Sequence, residues 1–350
     1  MVDWSLARHV ARFAVGSDER PELGVDLPDV TRRMAEHVSG YTRLAPLTPV
    51  PPAELLTRTE WTAMNIDALS ELLEPVAARL DSRLGAAGPL AGALRAGAGA
   101  TLAAEAGLVI GYVGTRVLGQ YELSLLAAEP TPRLVFVAPN LQRAVGQMGV
   151  DRDSFYGWIA IHELTHVLQF QGVPWLREHL ASLVREYLET VEVRIDSGAA
   201  GGLPSLPNVS RLVEAFREGG LAALVQTRAQ RTLMTRMQAV MAVIEGYSEH
   251  VMDALGARLL PAYAGLREAM EERRRSRSAP ERILERLLGL DFKLRQYELG
   301  GRFCNEVVAR AGVDSLNRVW SAPEALPTLR ELGQPDAWLE RTSARPAPVA

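Results

Sequence analysis

Apolar residues recur at helical spacing along most of this chain, and the breaks fall on proline and glycine. Residues 1–16 place Trp4, Leu6, Val10 and Phe13 among Asp3, Arg8 and Arg12, the pattern of an amphipathic helix. Pro46, Pro49, Pro51 and Pro52 then punctuate the chain, and Ala53-Glu54 after them suits a helix N-terminus. Apolar positions near every 3.6 residues predict a helix across 58–80, and the Ala/Gly-rich stretch 85–107 predicts another. From residue 108 the texture changes. RLVFVAPNL (133–141) is enriched in β-branched and aromatic residues and is stopped by Pro139-Asn140, so it reads as a short strand, with 121–127 as its candidate partner.

The next segment, 155–171, is apolar nearly all round: Trp158, Ile159, Ile161, Leu164, Val167, Leu168 and Phe170. Asp153 or Ser154 can cap it, and Gly172 and Pro174 end it. A helix without a polar face belongs in the interior. Beyond a flexible connection at 198–208, a long helix is expected over 228–259 and a third one ending at Gly312. The charge run 271–278 reads as a solvated loop or a frayed helix end. The tail after 323 is rich in proline, which predicts loose packing or disorder. The fold class is therefore mainly α with a small β-sheet (α+β). Its divisions are an N-terminal helical region 1–107, a second domain 108–322 and the tail 323–350.

Composition narrows the possible chemistry. The 350 residues are 47% hydrophobic and 23% charged, with a formal net charge of −4. That is ordinary for a globular protein and offers no basic footprint for nucleic acid. Cys304 is the single cysteine, so an intramolecular disulfide and a multi-cysteine zinc site are excluded. Asp3, Arg8 and Arg12 lie where the apolar run of a signal peptide would have to be. The most apolar stretch, 97–114, is interrupted by Glu105 and five glycines, which argues for a buried element over a membrane span. The expectation is a cytoplasmic protein with no membrane partner.

The chemistry lies in His162-Glu163-Leu164-Thr165-His166, an HExxH sequence within the apolar helix. Residues i and i+4 on a helix share a face about 6 Å apart, so two imidazoles can hold one tetrahedral metal. Glu163 sits on the neighbouring flank. There a carboxylate can act as general base on a water whose pKa zinc lowers towards about 7. A third protein ligand is needed. The metzincin continuation would put glycine at 169 and histidine at 172, and this chain has Gln169 and Gly172. Downstream, Glu245, Glu249 and Asp253 stack along one face of the 228–259 helix, either as a solvated acidic stripe or as a ligand with second-shell support. His250 lies five residues from Glu245, about 140° around the helix, and cannot stand beside it towards the same metal. Gly246 would let another backbone approach closely.

Lesser candidates surround the motif. Tyr297 shares a helical face with Lys293, Gln296 and Gly300 and either donates to a developing oxyanion or packs as an aromatic. Asn140 either orients a peptide along the strand edge or serves the turn. His9 and His37 read as surface residues, and His179 lies past the helix break. Cys304 and Met234, Met237, Met241 and Met252 read as core.

HExxH followed by Glu245-Gly-Tyr-Ser-Glu249 resembles the gluzincin group of zinc metallopeptidases. The chain is similar, more closely, to a family of zincin-like metalloproteases also described as hydrolases or as associated with deazaflavin-cofactor biosynthesis. The matching pieces are 61–65 (WTAMN), 117–121 (VLGQY), 136–140 (FVAPN), 158–176, 245–250 (EGYSEH) and 293–297 (KLRQY) with Gly300, spread over most of 60–312. The resemblance implies a zincin-like metalloprotease fold for the 108–322 region, zinc as cofactor, and Glu245 as third ligand beside His162 and His166. Glu249 would then accept a hydrogen bond from one of the two histidines. The expected activity is zinc-dependent hydrolysis of a peptide or protein substrate, with Glu163 as base and Tyr297 on the oxyanion. A non-catalytic zincin-fold binding or structural module and a small-molecule amide hydrolase are the alternatives.

Overall fold

The computed structural model describes residues 2–16, 19–84, 91–126, 131–190, 227–275 and 290–343. The architecture is mainly helical with one three-stranded sheet. The chain divides into two compact units, Met1–Gly172 with Val251–Met270, and Val173–His250 with Glu271–Ala350.

In the first unit, α1 (Trp4–Val15) starts at Asp3, whose carboxylate accepts from Leu6 N at 3.0 Å. Its buried face is Ala7, Ala11 and Val15, and Phe13, expected to be apolar contact, is 88% exposed. Small side chains turn inward here because Ala7 and Ala11 form a cluster with Ile66 of α3 (Arg58–Leu84) and Ala103 of α4 (Ala91–Gly114). α2 (Leu27–Thr42) packs against α6 (Arg152–Gly172).

The sheet corrects one expectation. Ala53–Leu56 is a strand, β1, rather than a helix start, because it pairs in parallel with β3 (Arg133–Val137) and Glu54 binds Arg133 at 2.6 Å. The helix begins four residues later at a capping box: Thr57 Oγ1 accepts from Glu60 N at 3.2 Å, and Glu60 accepts from Thr57 N at 2.7 Å. β2 (Gly119–Glu122) pairs antiparallel to β3, giving the order β1-β3-β2 with β2 at an edge. Leu134 to Val137 are fully buried, as a central strand covered on both faces requires.

Pro139 does not simply stop the strand. It stands in the first turn of α5 (Ala138–Met148), where its missing N–H costs nothing. Asn140 is correspondingly not a substrate contact. It is 2% exposed, donates to Gly114 O (2.8 Å) and Val117 O (2.7 Å), and accepts from Arg58 Nε (2.8 Å).

After α6 the chain forms α7 (Leu176–Thr190) and the long helix α8 (Arg228–Leu259), followed by α9 (Tyr263–Arg275) and α10 (Leu290–Ala311). The limits of α8 match the apolar periodicity, and the helix is continuous through the division between units, which falls after His250. α9 lies in the first unit through Met270, and its last turn holds the start of the 271–278 charge run. The 198–208 connection lies outside the described residues.

The stretch after 323 corrects the expectation of a loose tail. It forms the short helices Leu329–Leu332 and Pro335–Ser343, the first opened by a Thr328–Glu331 capping box. Trp338 is fully buried, its indole N–H donates to Ala325 O at 2.7 Å, and its ring meets Phe303 at 5.2 Å. Proline density here marks tight turns around an aromatic anchor. Residues 344–350 lie outside the described residues.

Asn140→Ala should be among the most destabilising single changes in the first unit. It strands two carbonyls and one guanidinium donor, at about 1–3 kcal/mol for each buried group left unsatisfied. Chemical denaturation should show a midpoint well below wild type with an unchanged slope. A midpoint within error of wild type would show these bonds to be dispensable.

Candidate metal centre

α6 is capped one turn earlier than the residues suggested. Asp151, rather than Asp153 or Ser154, accepts from Ser154 N at 2.8 Å, and its hydrogen bonds to Ser154 hold its carboxyl below the ordinary range. From that start the helix runs through a nearly continuous buried stretch, Ser154 to Ile161, and then presents the motif.

His162 and His166 fall on one face as the i, i+4 spacing requires. Their Nε2 atoms stand 3.2 Å apart and their rings meet edge-on, with centroids at 4.7 Å and an interplanar angle of 88°. Two ligand atoms at about 2.05 Å from a tetrahedral zinc are separated by about 3.3 Å, so the spacing suits that ion. His166 Nδ1 lies 2.9 Å from Gln169 Oε1. Donation from Nδ1–H to this carbonyl leaves the Nε2 lone pair directed at the shared position. Gln169 is fully buried, so the imidazole has a fixed partner. This is the role expected of Glu249, and for His166 the residue one turn along its own helix holds it.

Glu163 is 6% exposed, and its Oε2 accepts from the main-chain N–H of Tyr121 at 3.1 Å. The carboxylate thus lies across the edge of β2. Gly119 makes this possible, since a Cβ there would meet Glu163 Cγ at 2.8 Å and Oε1 at 2.9 Å. The Tyr121 ring turns towards α6 and meets Phe170 at 6.1 Å, while Gln120, on the opposite face, exchanges amide hydrogen bonds with Asn65 of α3 at 3.2 and 3.3 Å. Gly119, the Tyr121 N–H and Gln169 were not singled out by the sequence reading. The signals available were the glycine within VLGQY and a glutamine three residues after the second histidine.

Glu245, the expected third ligand, stands on α8 in the second unit, and the two histidines stand on α6 in the first. Two imidazoles and one carboxylate are a donor set that zinc accepts. Glu245 is positioned by a close helix crossing. A Cβ on Gly246 would lie 2.2 Å from Gly300 C, and one on Gly300 would lie 1.8 Å from Ala242 O, so α8 and α10 touch backbone to backbone as Gly246 predicted.

The other acids of the α8 stripe meet neighbours of their own. Glu249 faces α10, where a Cβ on Gly301 would meet its Oε2 at 2.9 Å. Asp253 accepts from Tyr263 OH at 2.8 Å and pairs with Arg267. His250 Nδ1 lies 2.6 Å from Asn305 Oδ1. Tyr247 donates to Asn317 at 2.8 Å and packs on Trp320.

The remaining candidates take structural places. Cys304 is fully buried, and burial together with Glu249 pushes its thiol up, as suits a core residue. His179 packs edge-on to Trp175, and burial followed by Arg236 pushes its pKa down. His9 and His37 are exposed. Tyr297 belongs to α10, but its side chain lies outside the described residues.

Among the described residues, no helix is long and apolar enough to cross a membrane. No curated protein matches the chain. A crystal structure from Chloroflexus aurantiacus, described as that of "a putative hydrolase with a novel fold", superposes with a TM-score of 0.71 at 30% identity, covering 99% of this chain and 100% of that one. The family model described as zincin-like metallopeptidase matches residues 2–339, which takes in α6, β2 and Glu245 alike. The chain belongs to the zincin-like metallopeptidase family.

Proposed function

We propose that this protein is a zinc-dependent hydrolase that cleaves peptide bonds. The observation that carries the reading is the 3.2 Å approach of the His162 and His166 Nε2 atoms beside an anchored glutamate. His162, His166 and Glu245 would hold the ion, which when bound supplies a Lewis acid for the scissile carbonyl and for water. The protein's own contribution is proton transfer. Glu163 takes a proton from water at its carboxylate and returns it to the leaving amine nitrogen. Its orientation is set beforehand, because Oε2 is tied to a main-chain donor that does not move with the substrate. Donor and acceptor geometry are thus in place before reaction, which lowers the cost of reorganisation.

The edge position of β2 favours a peptide over a small amide. Tyr121 turns its N–H away from β3 and towards Glu163, and alternation along an antiparallel strand turns Gly119 the same way. An extended peptide laid along this edge would bring its backbone past the base. Tyr297 keeps the oxyanion role as a proposal, carried by the helix that packs on α8 at Gly300.

Three outcomes test the reading. Elemental analysis should find about one zinc per chain in wild type, as a single three-ligand site allows. His162→Ala and Glu245→Ala should lose it, while His250→Ala should keep zinc and lose stability through Asn305. Zinc retained by Glu245→Ala would remove that ligand from the site.

Glu163→Gln should bind zinc normally while hydrolysis of peptide libraries falls on the order of 10²-fold or more. Gly119→Ala should lower hydrolysis as well with zinc intact, because the added methyl displaces the carboxylate. A wild type that cleaves no peptide and matches Glu163→Gln would assign the fold to binding instead.

Tyr297→Phe should lower kcat with little change in KM, by the roughly 10²-fold typical of a lost oxyanion donor. Unchanged kcat would make Tyr297 a packing residue.

A further inference from the structure

Where β2 ends, α3 and the chain after the strand enclose a cavity of about 290 Å³. Sites for whole small molecules span about 300–1,000 Å³, so a cavity of this size is suited to one long side chain. Its walls are apolar, with Leu69 and Leu72 from α3 and Leu123 and Leu126 from the chain beyond β2. Two carboxylates, Glu71 and Glu122, join them, and no Lys or Arg is among the described residues lining it.

The charge at Glu122 is only partly met. Its Oε2 accepts from Gln120 Nε2. Arg133, its partner across the strand pair, gives its guanidinium to Glu54 at 2.6 and 3.1 Å. Burial pushes the Glu122 carboxyl above its ordinary range, Gln120 and Arg133 pull the other way, and nearby Glu71 adds to the rise. A cation entering the cavity would relieve the repulsion between the two acids.

Strand geometry connects the cavity to the base. Gln120 and Glu122 share the face of β2 that looks towards α3, since Gln120 bonds Asn65 and Asn65 also lines the cavity. A peptide added at the β2 edge alternates its side chains between the two faces of the sheet. Those on the α3 face run alongside Glu122, within a few residues of the bond that Glu163 serves. An aliphatic stem would lie against the leucines, with its charged head between the carboxylates. We propose that this cavity is a substrate subsite for a Lys or Arg side chain, an inference that rests on the peptidase reading above.

The test measures binding and cleavage separately. Capped hexapeptides that differ only in one central residue (Arg, norleucine or Glu) are titrated against the full-length, zinc-loaded Glu163→Gln protein. The Arg peptide should bind roughly fivefold or more tightly than norleucine, the scale of two partly screened ion pairs, and the Glu peptide should bind weakest. Raising ionic strength should shrink the preference. Glu122→Gln, which keeps the size and a partner for Gln120, should bring Arg and norleucine towards parity. Glu71→Gln, at an exposed position that leaves folding unaffected, should do so in part. Equal binding of Arg and norleucine, or a preference that survives both substitutions, would overturn the subsite. A preference for Arg in binding, combined with no cleavage of these peptides by zinc-loaded wild type, would uphold the subsite and overturn the peptidase reading instead.

Discussion

Everything around the centre follows from placing two imidazoles and a carboxylate on a helix that is otherwise interior. Polar groups removed from water must find partners, and the neighbouring elements supply them. His166 takes Gln169, and Glu163 takes a strand N–H. Even the acids of α8 outside the centre are engaged, Asp253 by Tyr263 and Arg267. Similar residues in one row thus differ through what each one meets.

Two close approaches make that sorting possible. At one, the sheet edge comes within van der Waals distance of a helix side chain. At the other, two helices meet with no side chain between them. Both depend on glycine, at 119 and at 246 and 300, and both lie beside a group proposed to take part in the chemistry. Rigid elements rather than loops therefore carry the centre, and its precision is inherited from packing.

The legible part of the molecule was that which local pattern determines. The HExxH helix, the limits of α8 and the need for a close approach at Gly246 could all be read from spacing. What could not be read depends on partners distant in sequence. Ala53–Leu56 follows prolines and looks like a helix start, but its parallel partner lies about 80 residues on and no local signal announces it. Pro139 punctuates a strand and a helix equally well, and only the downstream chain decides between them. The row of Glu245, Glu249 and Asp253 was visible, but the neighbours of Glu249 and Asp253 were not. Those are Gly301, Tyr263 and Arg267, which lie on other elements. After 323, composition suggested looseness, whereas a single tryptophan with a satisfied indole organises the segment.

The anchor of Glu163 is a main-chain amide, and this has a consequence for how the protein can change. Any residue other than proline supplies that donor at position 121, so the side chain there is unconstrained by proton transfer and answers to its packing contacts, Phe170 among them. The machinery and the surface beside it are therefore separable on one short strand. Sequence drift along β2 can alter what the edge accepts while the hydrogen bond that orients the base stays the same.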